Sequence, residues 1–206
     1  LAQAEVDAWD TTRVVLGINP FGFDWKLAPG ESFQTPEAVM VYSSSGCNAM
    51  SRTFHQLYRS RLARGPWRDR PRPILLNNWE ATYFHFTEDQ LVSIARTARE
   101  DGVELFVLDD GWFGSRCSDS AGLGDWTPNR DRLPSGLAGL ARRITDLGLR
   151  FGLWFEPEMV NKDSDLYRAH PDWIIHVPGR RESHGRNQYV LDFSRPEVVD
   201  CIYDQM

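Results

Sequence analysis

Two adjacent carboxylates follow a short apolar segment near the middle of the chain. The segment VELFVLDDGWFG, residues 103–114, places Asp109 and Asp110 directly before Gly111 and Trp112. An apolar run of this length is typical of a buried strand. Two neighbouring like charges at its end are costly to bury, because each opposes the ionisation of the other. Carboxylates accept hydrogen bonds, so the pair is suited to a ligand that carries several hydroxyl groups.

Two further strand-like segments end in similar residues. PILLNNW leads to Trp79 and Glu80, and RFGLWFEPE contains Trp154, Glu156 and Glu158. Helix-like segments separate the three strands, which gives the β-α-β-α-β order of a parallel sheet. The carboxyl ends of parallel strands meet at one edge, where α/β proteins bind ligands. We therefore expect the tryptophans and carboxylates to lie together, with one of the two glutamates facing the ligand.

The two intervening segments carry clear helix signals. In TEDQLVSIARTAREDG, Thr87 is the predicted N-cap, Gln90 closes a capping box and Gly102 ends the helix. The buried stripe is predicted to contain Leu91, Ile94, Ala95 and Ala98. In SGLAGLARRITDLG the apolar face is predicted at Leu137, Leu140, Ile144 and Leu147, with Gly148 as the stop.

Composition restricts the class of ligand. The chain has 206 residues, with 29 acidic and 23 basic side chains, and this acidic balance argues against nucleic-acid binding. No glycine-rich phosphate loop follows a strand, so we expect no nucleotide cofactor, and the scattered histidines predict no metal site. No apolar run is long enough for a membrane span. Eight tryptophans favour a sugar, because sugar rings stack on aromatic faces.

Each candidate residue has another interpretation. A strand-end Asp can cap a helix, carboxylates can hold Ca²⁺ or Mg²⁺, and each tryptophan can belong to the core. Geometry separates binding from catalysis for Asp109 and Asp110. If the two aspartates were a catalytic pair acting on a sugar, their carboxyls would have to lie on opposite sides of the bond being broken, about 5–5.5 Å apart. Consecutive residues, about 3.8 Å apart at Cα, approach a sugar from one side, which favours binding.

The chain divides near residue 65. Residues 1–65 alternate short β-type runs with Gly, Pro and Ser turns and are predicted to be all-β, whereas residues 66–206 follow the α/β pattern. The chain starts without Met and ends at Met206 within a predicted helix, so we interpret it as a segment of a longer protein. Three cysteines at wide spacing indicate reduced thiols in an intracellular, cytoplasmic protein.

Several longer motifs carry a resemblance to a known family. PILLNNWEATYFHF, LFVLDDGWFG, LGDWTPNRDRLPSGL, FGLWFEPEMV, SDLYRAHPDWIIHVPGR and GRNQYVLDFSRPEV, with TPEAVMVYSSSGCNAMSRTFHQLYR upstream, resemble the bacterial α-galactosidases of glycoside hydrolase family 36. The resemblance implies that residues 1–65 are the last strands of a β-supersandwich domain. It implies that residues 66–206 are the first half of a catalytic (β/α)₈ TIM barrel.

The same resemblance implies an activity and assigns roles to residues. It implies retaining hydrolysis of terminal α-1,6-linked galactose in melibiose, raffinose and stachyose, without a cofactor, by an enzyme that is often a homotetramer. Asp109 and Asp110 resemble the pair that binds galactose hydroxyls, and Trp79 and Trp154 resemble the aromatic walls. Trp112 is a further candidate beside the carboxylates, and GRNQ holds Arg186, which resembles the arginine of the galactose site.

The catalytic residues are expected outside this chain. The nucleophile of the family lies in a K-W-D-x-N-R motif at the end of the next barrel strand, and no such motif precedes Met206. The chain alone is therefore expected to be inactive. Three functions remain open: an α-galactosidase, a related galactosyl transferase or α-N-acetylgalactosaminidase, and a sugar-binding domain without catalysis.

Overall fold

The structure is a computed structural model that describes all residues from Leu1 to Met206. The chain forms two compact units, Leu1–Pro71 and Arg72–Met206. The division falls within the Pro- and Arg-rich segment RLARGPWRDRPRP, residues 61–73. No helix has the length and apolar character needed to traverse a lipid bilayer.

The first unit contains one hairpin and one helix. Strands β1 (Ala2–Val6) and β2 (Thr12–Leu16) pair antiparallel. The connecting turn is held by Asp7, whose carboxylate accepts from two backbone N–H groups at 2.9 Å each. Helix α1 (Gly46–Leu57) continues into a π-helical turn over Tyr58–Leu62.

The prediction that residues 1–65 are all-β is wrong for residues 46–62. The physical reason lies in the spacing of the apolar side chains, because Met50, Phe54 and Leu57 recur at the interval of a helix rather than a strand. Residues 17–45 form no strand either, since a strand needs a partner for its backbone hydrogen bonds. The hairpin is the regular β-structure of this unit.

The second unit is built on a parallel sheet. Strands β3 (Leu75–Asn77), β4 (Leu105–Leu108) and β5 (Arg150–Leu153) lie in that order, with Leu76 beside Phe106 and Phe106 beside Phe151. The short helix α2 (Trp79–Thr82) follows β3, and the crossovers are α3 (Glu88–Glu100) and α4 (Gly136–Thr145). The predicted β-α-β-α-β order is confirmed.

Local signals in the sequence explain the first crossover helix. Thr87 accepts from the backbone N–H of Gln90, whose side chain accepts from the backbone N–H of Thr87, so the predicted capping box is present. Gly102 adopts φ +88° directly after the helix, in the left-handed conformation that glycine tolerates best. Leu91 and Ala95 are fully buried, as the apolar stripe predicted.

The core lies between the sheet and the helices. Phe106 and Leu108 on β4 are fully buried and belong to the same cluster as Leu140 and Ile144 of α4. Strands β6 (Met159–Asn161) and β7 (Gln188–Val190) form a second antiparallel pair. The segment between them contains α5 (Asp165–Ala169) and a 3₁₀ turn over Pro171–Trp173, and helix α6 (Pro196–Gln205) follows β7. This arrangement leaves the carboxyl ends of β3, β4 and β5 along one edge.

Candidate functional site

A cavity of about 410 Å³ lies at the carboxyl edge of the parallel sheet. Five of the six predicted binding residues line it, together with Phe155 and both strand-end glutamates: Trp79, Asp109, Asp110, Trp154, Phe155, Glu156, Glu158 and Arg186. A larger cavity of about 870 Å³ lies within the first unit, but Glu37 is its one ionisable residue. Convergent polar and aromatic groups therefore place the candidate site at the sheet edge.

Asp109 is oriented by two asparagines at the end of the neighbouring strand. Its backbone N–H donates to Asn78 Oδ1 at 2.9 Å, and its Oδ2 accepts from the amide of Asn77. Its Oδ1 accepts from the backbone N–H of Asp110 at 2.7 Å. The carboxylate is thus held from the β3 side and from its own backbone, which fixes its rotamer beside the cavity.

Asp110 is held by a buried guanidinium. Arg116 is fully buried and donates to both carboxylate oxygens, from Nε at 3.0 and 3.1 Å and from Nη2 at 2.8 Å. Such a fork is the strong geometry for an arginine and a carboxylate. Gly111 turns the chain away at φ +95°, and a Cβ there would lie 3.0 Å from Arg132 Nη1 and 3.2 Å from Phe84.

Two tryptophans stand at the outer strand ends of this edge. Trp79 begins α2 and makes edge-to-face contacts with Tyr83 and Phe84, with ring centroids 5.2 and 5.0 Å apart. Trp154 follows β5 and is nearly parallel to Phe113, at 6.5 Å between centroids. Neighbouring aromatics therefore limit how far either indole can tilt.

Trp112 does not reach the cavity. Its side chain is 1% exposed, and its Nε1 donates to the backbone carbonyl of Trp154 at 3.1 Å. It packs in an aromatic cluster with Phe113, Trp126 and Phe155. The prediction that Trp112 contacts the ligand is therefore corrected: its ring lies in the core behind Trp154 and does not line the cavity. The chain turns at Gly111, between the two aspartates and Trp112, and beyond this turn the ring packs in the aromatic cluster.

Arg186 supplies positive charge to the cavity. Its Nη2 donates to Glu156 Oε1 at 3.1 Å and to Gln188 Oε1 at 3.0 Å, and its Nη1 lies 3.6 Å from the carboxylate of Asp119. Two hydrogen-bond acceptors and a nearby carboxylate hold the guanidinium, while its other N–H groups stay free to donate.

Glu156 and Glu158 both line the cavity, whereas the sequence predicted one of them there. Burial raises the pKa of the Glu156 carboxyl, and the opposite charge of Arg186 counteracts the rise. Its Oε2 is buried without a hydrogen-bond partner in the protein. An oxygen in this condition is available to a donor group of a ligand.

The residues that fix the two aspartates were not predicted as functional. Asn77 and Asn78 stand in the quoted strand end NNW, so their position was a usable signal. Arg116 lies in the loop GSRCSDSAG, which has no periodicity, and its contact with Asp110 depends on how that loop folds back. No group of three or more His, Cys, Asp or Glu side chains is arranged to hold a metal ion.

The arrangement defines a class of site. The carboxylates can accept hydrogen bonds from the hydroxyl groups of a ligand, and the guanidinium can donate hydrogen bonds to the oxygens of those hydroxyl groups. The two indoles offer flat apolar faces. A ligand that uses all three is uncharged, rich in hydroxyl groups and apolar on one ring face. A mixed α/β fold with such an edge carries the kinds of groups that carbohydrate-binding sites use.

The chain belongs to the Melibiase family, whose family model matches residues 32–206. It is 65% identical over 204 residues to α-galactosidase AgaA from Geobacillus stearothermophilus, a match that covers 99% of this chain and 28% of AgaA. It is 51% identical to α-galactosidase Mel36A from Lactobacillus acidophilus, again over 99% of this chain and 28% of the relative.

Solved structures agree with these matches. The crystal structure of GH36 α-galactosidase AgaA superposes with a TM-score of 0.92 at 64% identity, covering 98% of this chain and 28% of AgaA. The same enzyme, carrying substitutions, has been solved in complex with raffinose, with a TM-score of 0.91. The galactosidase domain of the α-galactosidase–sucrose kinase AgaSK matches with a TM-score of 0.91 at 46% identity. The chain thus spans 28% of the length of these relatives.

Proposed function

We propose that this chain forms the galactose-binding part of a retaining α-galactosidase that removes terminal α-1,6-linked galactose from melibiose- and raffinose-type oligosaccharides. The observation that carries the proposal is the pair Asp109 and Asp110, held side by side at one cavity between Trp79 and Trp154. The relatives named α-galactosidases, and the raffinose complex of one of them, support the choice of sugar.

The stereochemistry of galactose suits a one-sided acceptor pair. Its axial 4-hydroxyl lies on the same side of the ring as its 6-oxygen, so two adjacent carboxylates can accept from both. Arg186 donates to a further ring oxygen, and one indole covers the apolar face. Asp109 and Asp110 act as binding residues in this scheme, because both belong to one strand end and approach from one side.

The resemblance to the α-galactosidases of glycoside hydrolase family 36 implies further features. The first unit is the end of a β-supersandwich, the second unit is the first half of a (β/α)₈ barrel, and the nucleophile and acid/base lie on the remainder of the barrel. We further propose that the complete enzyme is a homo-oligomer, a tetramer by this resemblance, and that it is cytoplasmic, as its three free cysteines indicate. Residues 1–206 alone bind galactose weakly at most and do not hydrolyse galactosides.

The test is a substrate comparison with the full-length protein. We expect turnover of p-nitrophenyl α-galactoside, melibiose and raffinose, and poor turnover of the matching α-glucoside and β-galactoside. Nuclear magnetic resonance of the first product should show the α-anomer of galactose, as retention requires. Release of the β-anomer would overturn the retaining mechanism, and absence of turnover would overturn the proposal.

The same assay separates the alternatives. A galactosyl transferase would pass galactose to an added sugar acceptor faster than to water. An α-N-acetylgalactosaminidase would prefer the acetamido substrate, which needs extra room at the ring 2-position. A sugar-binding domain without catalysis would bind galactose in calorimetry and turn over none of these substrates.

A further inference from the structure

A buried polar network lies behind the cavity and extends beyond Asp110. Arg116 uses Nε and Nη2 on Asp110, and its remaining nitrogen, Nη1, donates to Asn161 Oδ1 at 2.9 Å and to the Ala121 carbonyl at 3.2 Å. Arg116 and Asn161 are both fully buried. A buried guanidinium is tolerated only when its donors are satisfied, and here each of the three nitrogens has an acceptor.

Asn161 uses its complete hydrogen-bonding capacity. Its Oδ1 accepts from Arg116 Nη1 and from the backbone N–H of Leu123 at 3.0 Å. Its Nδ2 donates to the carbonyls of Asp119 and Asn187, both at 2.9 Å. The amide orientation is therefore fixed, because a flipped amide would turn its N–H groups toward two other donors.

The contact with Asn187 reaches the turn that carries Arg186. Gly185 and Gln188 exchange backbone hydrogen bonds of 2.8 and 3.2 Å, and the two residues between them have φ values of 53° and 58°. Asn tolerates this left-handed conformation, whereas Arg rarely adopts it, so contacts from outside the turn help to hold Arg186 in place. Asn161 supplies that support at the Asn187 carbonyl, and Asn187 Nδ2 adds a hydrogen bond to Ser120 Oγ at 3.0 Å.

We propose that Asn161 is a positioning residue that sets the distance between the two polar sides of the sugar site. Through Arg116 it is tied to the Asp110 carboxylate, and through Asn187 it holds the turn from which the Arg186 guanidinium enters the cavity. Asn161 does not line the cavity itself. The inference rests on the proposed function, since the sugar ring is what requires Asp110 and Arg186 at a fixed spacing.

The variant Asn161→Asp tests this role in the full-length protein. Aspartate keeps the size and the oxygen that accepts from Arg116, and its second oxygen replaces the donor that holds Asn187. We expect kcat/KM for p-nitrophenyl α-galactoside to fall by about tenfold or more. In an Arg186→Ala background the same substitution should cost less than about threefold, because the residue that it positions is absent. The unfolding free energy should change equally in both backgrounds.

The matched control is Asn129→Asp. Asn129 also donates from Nδ2 to a backbone carbonyl, that of Gly114 at 2.8 Å, but it has no contact with the Arg186 turn. Its kcat/KM should stay within about threefold of the parent. If Asn161→Asp does not fold, Ser120→Ala is the second variant, because it removes the hydrogen bond from Asn187 Nδ2 to the exposed Ser120 hydroxyl. We expect Ser120→Ala to lower kcat/KM in the parent enzyme and to leave it unchanged in the Arg186→Ala background.

The possible results are distinct. An equal loss of kcat/KM in both backgrounds, with an active parent, overturns the positioning role and leaves the proposed function intact. A parent enzyme without α-galactosidase activity overturns the proposed function and the inference with it. A loss that is confined to the background containing Arg186 supports the inference.

Discussion

The indole Nε1 of Trp112 donates a hydrogen bond of 3.1 Å to the backbone carbonyl of Trp154, although the two residues belong to different strand ends. This bond ties the chain after β4 to the chain after β5 directly beneath the cavity. The buried Trp112 therefore helps to hold the backbone of Trp154, whose side chain lines the cavity.

Replacing Trp112 by Phe should affect stability more than catalysis. The substitution removes the hydrogen bond to Trp154 and part of a buried ring, so we expect the unfolding free energy to fall by about 1–3 kcal/mol. The kcat/KM of the full-length enzyme should stay within about threefold, whereas Trp154→Ala should lower it by about tenfold or more. Urea unfolding and steady-state kinetics measure the two quantities. A large loss of activity without loss of stability in Trp112→Phe would show that this residue contacts the substrate after all.

The sequence predicted those parts of the fold that depend on local signals. The capping box at Thr87, the stop at Gly102 and the strand that ends at Asp109 all follow from neighbouring residues. The helix over Gly46–Leu57 was missed because Gly, Pro and Ser turns before it suggested a continuing β pattern.

The sequence predicted the site residues that follow strand ends, and it missed those whose position depends on contacts formed when the chain folds. Asp109, Asp110, Trp79 and Trp154 lie at the expected edge because parallel strands end there together. Arg116 could not be found in this way, since its contact with Asp110 depends on how an irregular loop folds back, and its other side-chain partner, Asn161, is 45 residues away in the chain. Trp112 was placed on the wrong side because residue type alone does not distinguish a core ring from a cavity wall.

Asp109 and Asp110 should differ in their importance for stability. Asp110→Asn removes the counter-charge of the buried Arg116, and breaking a buried pair costs about 3–5 kcal/mol. Asp119, whose carboxylate lies 3.8 Å from Arg116, should keep the loss near the lower end of this range. Asp109→Asn changes hydrogen bonds only and should cost about 1 kcal/mol. Equal destabilisation by the two variants, measured by urea unfolding, would contradict the assigned contacts.

Both aspartates should matter for catalysis through binding of the sugar. A hydrogen bond to a charged group contributes about 1.5–3 kcal/mol, so each Asp→Asn variant should lose about one to two powers of ten in kcat/KM. Azide, which substitutes for a missing nucleophile, should not restore activity to Asp109→Ala or Asp110→Ala. Kinetics with and without azide test this expectation. Strong rescue in either variant would assign that residue to the chemical step.

Arg186 should be distinguished from its neighbours Arg180 and Arg181. All three side chains are exposed, but Arg186 donates a hydrogen bond to Glu156 and lines the cavity, whereas Arg180 and Arg181 do not line it. We expect Arg186→Ala to lower kcat/KM by about tenfold or more and the two controls to change it by less than about threefold. Similar small effects for all three variants would remove Arg186 from the binding site.

Glu156 gives the site a dependence on pH. Burial raises the pKa of this carboxyl above its ordinary value of 4.5, against the opposing effect of Arg186, and Glu158, Arg116 and Asp110 are the other charged groups near it. Because the folded state binds this proton more tightly than the unfolded state, stability falls as pH rises from 4.5 through the raised pKa. Glu156→Gln removes the titrating group and should remove this part of the pH dependence.

The activity should respond to pH in the opposite direction. The ion pair between Glu156 and Arg186 exists only when the carboxyl is ionised, so Arg186 is held most firmly above the raised pKa. In the parent enzyme kcat/KM should therefore rise as the pH increases from 4.5 through the raised pKa of Glu156. Over the same pH range, the unfolding free energy of the parent should fall relative to that of the Glu156→Gln variant. The variant should have lower activity at neutral pH and a flatter profile on the acidic side. Parallel pH series of urea unfolding and of α-galactoside hydrolysis measure both quantities. If the variant keeps the same acidic limb as the parent, another carboxyl controls the activity and Glu156 does not hold Arg186 during catalysis.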